Sequence, residues 1–555
     1  MGRVPVNPPA SAHLVSRAGW SLVWLAILTA GADAWGSWSS WPGMAVLAPA
    51  VVLLGLLGAV GTWCVRDPDA RAWQYAGLGA GLATVAAIGG SGIASRVTYT
   101  TDSAAFNDVA TRLLLHGHDP YATTLHAAAL LPVPAPSYWT YLVGGGHVAR
   151  VSYPAGAFLL QAPLAALGVH HLTTDWLDLA AWLVTAVLLF RFLPEGVRWL
   201  APLLALASPY ALDFANGGTD ALFLPFLVVA VWRWDRFVTP RGSRAAAWLS
   251  PVALGVACSI KQSPWFCVPF LLVAVAAQAR GGGGRALPAA ARYGGVVLAA
   301  FAVVNLPFIV WDPAAWWRGT TLPLTSPLVP DGQGLVTLAL HGATGGVDLR
   351  LLWVAAALVM LGLLVALALW YPTLKRAWVF LVPVVLFIPG RSLSNYLLDF
   401  FPVALVAATS VARGGVAPVA LGPRWRAALV GVPLIGALGV GAWALDAAPL
   451  RVGVAAVAAG SHGTSISSVT LVVRNAASRA ITPHFMVAFE GGHPSGFWHQ
   501  SVVSGRFPLA PGARATVVIT PGRFTWAPPA REYWLVEAYS SSPAAVSTSA
   551  PRRWR

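Results

Sequence analysis

Long apolar runs separated by short polar loops dominate the first 450 residues. They lie at 17–36, 43–63, 73–94, 176–193, 199–212, 221–232, 246–260, 263–278, 293–310, 351–370, 378–389, 395–412 and 427–446. A helix needs roughly 17–25 apolar residues to cross a bilayer. The pattern therefore predicts an all-α polytopic membrane domain over 17–450 with about thirteen spans, preceded by a short tail, 1–16. The stretch PAGAFLLQAPLAALG (154–168) is apolar but short and holds two prolines, so it reads as an interfacial helix rather than a span.

After residue 450 the period changes. ISSVTLVVR, HFMVAFE, ARATVVIT and YWLVEAYS are β-rich, partly alternating and separated by Pro/Gly-rich turns. They predict a small all-β sandwich over 451–555. A packing or docking module is the default reading of it. A carbohydrate-binding module is the alternative, and exposed aromatics at Trp498 and Trp534 would favour it. The closing PRRWR reads as a basic tail for anionic lipid headgroups.

Composition agrees with a membrane protein. Only 10% of the 555 residues are charged and mean hydropathy is +0.67, whereas a soluble domain carries about a quarter charged residues. The net charge of +15 would suggest nucleic acid in a soluble chain. Here the cations sit in short loops, so they report orientation instead. With the N-terminus inside, the inner loops hold Arg66 and Arg71; Arg191 and Arg198; Arg233, Arg236, Arg241 and Arg244; Arg280, Arg285 and Arg292; Lys375 and Arg376; Arg413, Arg424 and Arg426. Had 154–168 crossed, every later loop would invert and the rule would fail. This topology leaves loops 95–175 and 311–350 and the C-terminal domain on the extracytoplasmic face of the cytoplasmic membrane. The N-terminal segment lacks a small-residue cleavage pattern and reads as a retained signal anchor. Cys64, Cys258 and Cys267 give neither zinc spacing nor a disulfide framework. The GGGG at 281–284 has no following Lys-Ser/Thr and is not a P-loop.

The first long loop opens with VTYTTDSAAFNDVATRLLLHGHDPY, residues 97–121. Phe106, Val109, Ala110, Leu113 and Leu114 recur at helical spacing, predicting an amphipathic helix over 103–116 on the membrane surface. Gly117 is its expected C-cap. Asp102 falls at the N-terminus, where Asp is a favoured N-cap. The helix dipole would keep such a carboxylate ionised, and an ionised carboxylate there can accept a proton from a bound hydroxyl. Asp108 follows on the polar face and is a possible second carboxylate. Asp119, before proline, has the character of a turn residue.

The stretches HGHDPY and SYPAGAFLLQAPLAALG, together with the Asp after an early span, resemble the first outer loop of GT-C glycosyltransferases. LASPYALDFANGGTDALFLPFLVVAVW and VALGVACSIKQSPWF are similar to later segments of the bacterial polyprenyl-phosphate-mannose-dependent branch. The resemblance covers roughly 95–412; three spans precede the Asp where one is commoner, and the β domain is an addition. It implies an inverting transferase that moves a sugar from a polyprenyl-phosphate donor, mannose first and arabinofuranose second, to a glycolipid, cell-wall glycan or protein. It also implies that Asp102 is the catalytic residue, with Asp108 or Asp119 as lesser matches.

One carboxylate suffices for that chemistry. A glycosidase needs two because its leaving alcohol must be protonated; a lipid phosphate leaves readily and needs positive charge instead. Lys261 in SIKQSP and Arg391 in PGRSLSNYLLDF are the candidate phosphate ligands, against the ordinary readings of snorkelling and interfacial anchoring. Asn216 and Asp220 in ANGGTD are candidates for sugar hydroxyls. Tyr153 is assigned first to core packing and second to the cavity wall. His116, His118, His126, His147, His170 and His171 cluster in the first loop, but no HExxH spacing supports a divalent cation; loop histidines are the default, and no cofactor is expected. The expected partners are the lipid-linked donor, a glycan or glycolipid acceptor and membrane lipids, with no nucleic acid. A transporter or lipid flippase is the rival class, disfavoured because no internal repeat is evident and the acids cluster in loops. A membrane scaffold presenting the β domain is the third.

Overall fold

The computed structural model describes residues 10–38, 43–125, 139–169, 172–207, 221–238, 244–411, 421–460, 465–489, 493–522, 527–528 and 532–553. Among them, eight helices are long and apolar enough to cross a membrane: His13–Gly36, Met44–Cys64, Arg71–Ser95, Thr173–Phe192, Ser263–Gly281, Ala286–Trp311, Leu349–Leu369 and Pro423–Asp446. The other five predicted spans, 199–212, 221–232, 246–260, 378–389 and 395–412, contain shorter helices: Leu200–Leu206, Leu224–Val231, Arg244–Cys258, Leu381–Leu386 and Phe400–Ser410. At 1.5 Å per residue none of these covers a hydrocarbon core of about 30 Å. One of them is apolar for another reason. Ala221–Leu224 and Leu227, Val228, Ala230 and Val231 are at most 3% exposed, so this segment is hydrophobic all round because protein surrounds it. Eight of the thirteen predicted spans are thus matched in length and composition among the described residues; 208–220, 239–243 and 412–420, which interrupt or adjoin the others, lie outside them. The 154–168 stretch is two short helices, Gly156–Leu159 and Ala162–Ala166.

The long helices at the periphery are apolar on their open faces. Pro423–Asp446 exposes Trp425, Leu429, Val432, Ile435, Leu438 and Trp443. Its two tryptophans lie about 27 Å apart along the axis, the spacing of the aromatic belts at the two membrane interfaces. Four segments outside the long spanning helices gather at the end of the bundle that carries the β domain. They are the helix Asp102–Leu115, the hairpin around 141–147, the DGQG turn at 331–334 and the turn at 389–392. Strand β1 (Asp331–Gly332) pairs with β3 (Arg391–Ser392). Strand β2 (Gly346–Asp348) runs directly into the helix Leu349–Leu369.

The C-terminal region is a two-sheet sandwich. Its strands are β4 (Leu450–Ala459), β5 (Ile466–Asn475), β6 (His484–Phe489), β7 (His493–Phe497), β8 (His499–Ser504), β9 (Arg514–Thr520), β10 (Tyr533–Ser541), β11 (Ala544–Thr548) and β12 (Arg552–Arg553). One sheet has the order β4-β5-β9-β8; the other runs β2-β11-β10-β6-β7, with β12 also on β10. Alternation buries one face of each strand: Val469, Leu471 and Val473 on β5, and Ala515, Val517 and Ile519 on β9. Trp498 and Trp534 are 4% and 2% exposed and belong to this core. They offer no sugar-stacking platform, because an indole that fills the sandwich cannot face a ligand. The strand contributed by β2 ties the sandwich to the membrane domain. Val143, Val329, Val336, Val347 and Leu349 of the membrane domain pack with Met486, Tyr539 and Val546 of the sandwich in one apolar cluster.

The ends of the sheets can be told apart. β2 pairs Gly346 with Ser547 and Asp348 with Ala545, so the β10–β11 turn points toward the membrane domain. β12 pairs with Tyr533 and Trp534 at the opposite end of β10. The arginines of PRRWR that are described therefore lie at the far end of the sheet, away from the bundle, where the sequence suggested lipid contact. A short basic tail is free to extend in sequence; here the sheet recruits it.

Glu537, fully buried on β10, accepts a hydrogen bond from the Tyr539 hydroxyl at 2.5 Å on Oε2. Burial pushes its carboxyl up from 4.5 to about 8, against the pull of that hydrogen bond and with a further push from Asp331. The folded state thus holds a proton that the unfolded chain releases above about 4.5. Stability from this group is full below that pH, falls as pH rises through about 8, and is level beyond it. Glu537→Gln is expected to remove this slope. Unfolding followed between pH 4 and 9, relative to the wild type, checks it; parallel curves for the two proteins would refute the buried neutral carboxyl.

Candidate functional site

Thr101, not Asp102, caps the helix Asp102–Leu115. Its backbone is extended and its hydroxyl accepts from the Ala104 amide at 3.3 Å. Asp102 is thereby free of the capping role that the sequence offered it. Its carboxylate instead accepts two hydrogen bonds from Thr140, one from the amide (2.6 Å, Oδ2) and one from the hydroxyl (3.2 Å, Oδ1). Nor does this helix lie on the surface: every residue from Asp102 to Thr111 is buried, against the helix Thr173–Phe192 and the short helices of 156–166. Gly117 ends it as expected, at φ +74°, with Gly117 N donating to Leu114 O and His118 N to Leu113 O.

Burial also decides the carboxylates. Burial raises the Asp102 carboxyl above its ordinary range; the Thr140 hydrogen bonds and Arg391 pull in the opposite direction without cancelling it. This reverses the expectation from the helix dipole, because removal from water outweighs a half-charge at a helix end. Asp108 is only 1% exposed rather than on an open polar face. It pairs with Arg112 at 3.4 Å and takes the Tyr99 hydroxyl. Asp119 makes the expected turn, accepting from the Tyr121 amide at 2.8 Å. Neither lines the cavity described below.

The segments SYPAG (152–156) and SIKQSP (259–264) are in direct contact and form a second wall beside Asp102. Gly156 N donates to Ser259 O at 2.8 Å, and a Cβ on Gly156 would lie 2.6 Å from that oxygen. Glycine is therefore required for the approach. Gln262 Nε2 donates to Ser152 O (2.8 Å) and Thr320 O (2.7 Å). Locked this way, Lys261 is 3% exposed and does not snorkel. Its ammonium lies 5.7 Å from the ring centre of Tyr153 and 5.3 Å from that of Tyr396, within cation–π range.

Arg391 comes from the third wall. β1 and β3 form a two-residue parallel pair, with Asp331 opposite Arg391 and Gly332 opposite Ser392. Gly332 sits at φ +110°, and a Cβ there would meet Ser392 O at 2.2 Å; at Gly334 it would meet Phe387 O at 2.2 Å. The DGQG turn is thus shaped to hold the Arg391 turn at backbone distance.

These walls enclose one cavity of about 90 Å³, where a single water takes roughly 10–15 Å³ on the same measure. Asp102, Thr140, Tyr153, Lys261, Arg391 and Tyr396 line its polar side. Phe266, Leu322, Leu324, Trp353 and Leu386 line its apolar side. Trp353 is 37% exposed on the spanning helix Leu349–Leu369, so that side reaches the surface of the bundle. A carboxylate, two cations and an apolar exit suit an anionic headgroup carrying a long tail. Tyr153 takes the wall position that the sequence ranked second.

Asn216 and Asp220 lie outside the described residues, as do His126, His170 and His171. His116 and His118 are exposed, and His147 packs on Trp139 with centroids 4.3 Å apart. Among the described residues, the one His/Asp group close enough to share a cation is His13, Asp67 and Asp69, a spanning helix away from Asp102. Thr140 and Tyr396 were missed by the sequence reading. Tyr396 follows Arg391 by five residues, and that proximity was a usable signal; Thr140 carried none. No family model, curated protein or solved structure matches the chain.

Thr140→Val removes one of the bonds that draws the Asp102 carboxyl down, so its titration is expected to move to higher pH. The carboxyl stretch in infrared difference spectra, assigned with Asp102→Asn, reads this directly. An unmoved band would mean that Thr140 does not govern the charge of Asp102.

Proposed function

We propose that this protein is an inverting glycosyltransferase of the GT-C kind, using a polyprenyl-phosphate sugar on the extracytoplasmic face of the cytoplasmic membrane. The observation that carries this reading is the convergence of Asp102, Lys261 and Arg391 on one cavity whose other wall is apolar and opens beside a spanning helix. Mannose is the first donor sugar and arabinofuranose the second; the acceptor is a glycolipid, cell-wall glycan or protein.

In this reading the donor's lipid tail lies along Phe266, Leu324 and Trp353, and its phosphate meets Lys261 and Arg391. Arginine supplies a two-pronged contact and lysine a point charge. The acceptor hydroxyl faces Asp102 on the other side of the sugar. As its oxygen bonds to the anomeric carbon, the bond to the phosphate oxygen breaks and the hydroxyl proton passes to Asp102. The electron pair leaves on the phosphate, where the two cations stabilise it. No second carboxylate is called for, which agrees with Asp108 and Asp119 being engaged elsewhere.

The test is sugar transfer by the full-length protein in proteoliposomes, with a panel of radiolabelled polyprenyl-phosphate sugars. Asp102→Asn is expected to lower turnover by about 10²–10⁴-fold, the usual share of a positioned base, while donor binding persists. Lys261→Met and Arg391→Gln are expected to weaken donor binding first. A folded Asp102→Asn protein that transfers sugar at the normal rate would overturn the role. Since the base must be unprotonated and its carboxyl is raised, wild-type turnover is expected to increase with pH through a limb above the ordinary carboxylate range. A rate already level from pH 4 upward would contradict this.

A further inference from the structure

The end of the sandwich nearest the bundle is unusually basic. Arg451 on β4, Arg474 on β5 and Arg514 on β9 are direct cross-strand partners. Directly opposed residues share a face of the sheet, so the three form a row, and all three are exposed. Like charges so placed repel one another. Among the described residues none of the three makes an ion pair. Two further exposed arginines, Arg479 and Arg506, stand in the loops at this same end, between β5 and β6 and between β8 and β9. Residues 447–555 contain ten arginines and three acids, Glu490, Glu532 and Glu537. Glu537 is buried, Glu532 directly precedes β10 at its far end, and Glu490 lies outside the described residues. Among the described residues of the sandwich no acid pairs with the row.

Its position is fixed by the chain. β4 begins at Leu450, four residues after the spanning helix Pro423–Asp446 ends, and Leu450 N is bonded to Ser547 Oγ at 3.1 Å beside β2. Trp443, 63% exposed in the last turn of that helix, marks the interface, and Arg451 follows eight residues later. This helix is peripheral, only 22% of its apolar window being buried. The sheet that starts from it therefore stands over lipid at the edge of the bundle. A half-membrane's polar layer is only about 5–7 Å deep; Arg474 and Arg514 lie exposed at this end of the sheet, and the Arg451 guanidinium stands beside Gly345, just before β2.

We infer that the row Arg451–Arg474–Arg514, with Arg479 and Arg506, is a binding surface for the phosphates of anionic lipid headgroups in the leaflet beneath the sandwich. The guanidinium fork suits phosphate oxygens, and several arginines on one rigid sheet meet several headgroups at once. The surface holds the sandwich down on the membrane at the side away from its contact with the hairpin at 141–147. It is separate from the cavity and stands whether or not the protein transfers sugar.

The experiment is native mass spectrometry of the full-length protein released from micelles containing phosphatidylglycerol and phosphatidylcholine in equal amounts. The wild type is expected to retain phosphatidylglycerol preferentially. Arg451→Gln/Arg474→Gln/Arg514→Gln should reduce that preference by about fivefold per arginine, the equivalent of about 1 kcal/mol for each near a charged surface. Should the triple variant fail to fold by circular dichroism, Arg479→Gln/Arg506→Gln in the loops is read instead. Arg552→Gln/Arg553→Gln at the far end should leave the preference unchanged. Equal retention of both lipids by the wild type, or an equal loss in the far-end variant, would overturn the inference. So would displacement of the lipid by equimolar inorganic phosphate, which would assign the row to a soluble anion.

Discussion

Everything at the functional end of this molecule depends on placing charge where water is scarce. A carboxylate and an ammonium that are 5% and 3% exposed persist only if fixed partners replace their hydration, since unpaired burial costs several kcal/mol for each. Asp102 receives an amide and a hydroxyl from Thr140, and Lys261 is flanked by two tyrosine rings. Each partner comes from a different part of the chain, so the site exists only when distant segments are held in register.

That requirement explains the sandwich. Thr140 leads into the hairpin whose Tyr141 is bridged to His147 and whose Leu142 is bridged to Leu328. The hairpin is clamped from above: Tyr141 meets Phe497 edge-on at 5.5 Å, and Gly145 at φ +91° lies so close to His484 that a Cβ would be 2.9 Å from the ring. The partner of Asp102 is thus held by strands about 350 residues away in sequence. Arg391 has a parallel arrangement, in which the DGQG backbone fixes one turn against another and Asp331 lies near enough to Glu537 to affect its proton. The β domain is part of the frame of the site, in keeping with its packing role.

The rest of the bundle shows how apolarity serves two ends. Leu224–Val231 and Pro423–Asp446 are both strongly hydrophobic, yet the first is enclosed by protein and the second faces outward. Hydropathy cannot separate these cases because transfer from water to lipid and from water to a protein core are driven by the same loss of hydrated surface. Among the described residues eight helices have the length to cross, while the shorter Leu224–Val231 is enclosed between its neighbours.

Sequence by itself determined the class of this protein. Run length and low charge gave a helical membrane domain, and the change of period after residue 450 gave the β domain, because 3.6- and 2-residue periods are properties of local backbone geometry. It also singled out Lys261 and Arg391, since ionisable groups beside apolar runs stand out by their cost, and Asp102 through the resemblance of the first outer loop to the GT-C pattern. What only the tertiary structure decided was the company they keep. Nothing local distinguishes Thr101 from Asp102 as the cap, links Thr140 to a carboxylate 38 residues earlier, buries Trp498 and Trp534, or carries Arg552 and Arg553 to the far end of a sheet. Those depend on which surfaces meet, and the free energy of burial is set by neighbours that the linear order does not name.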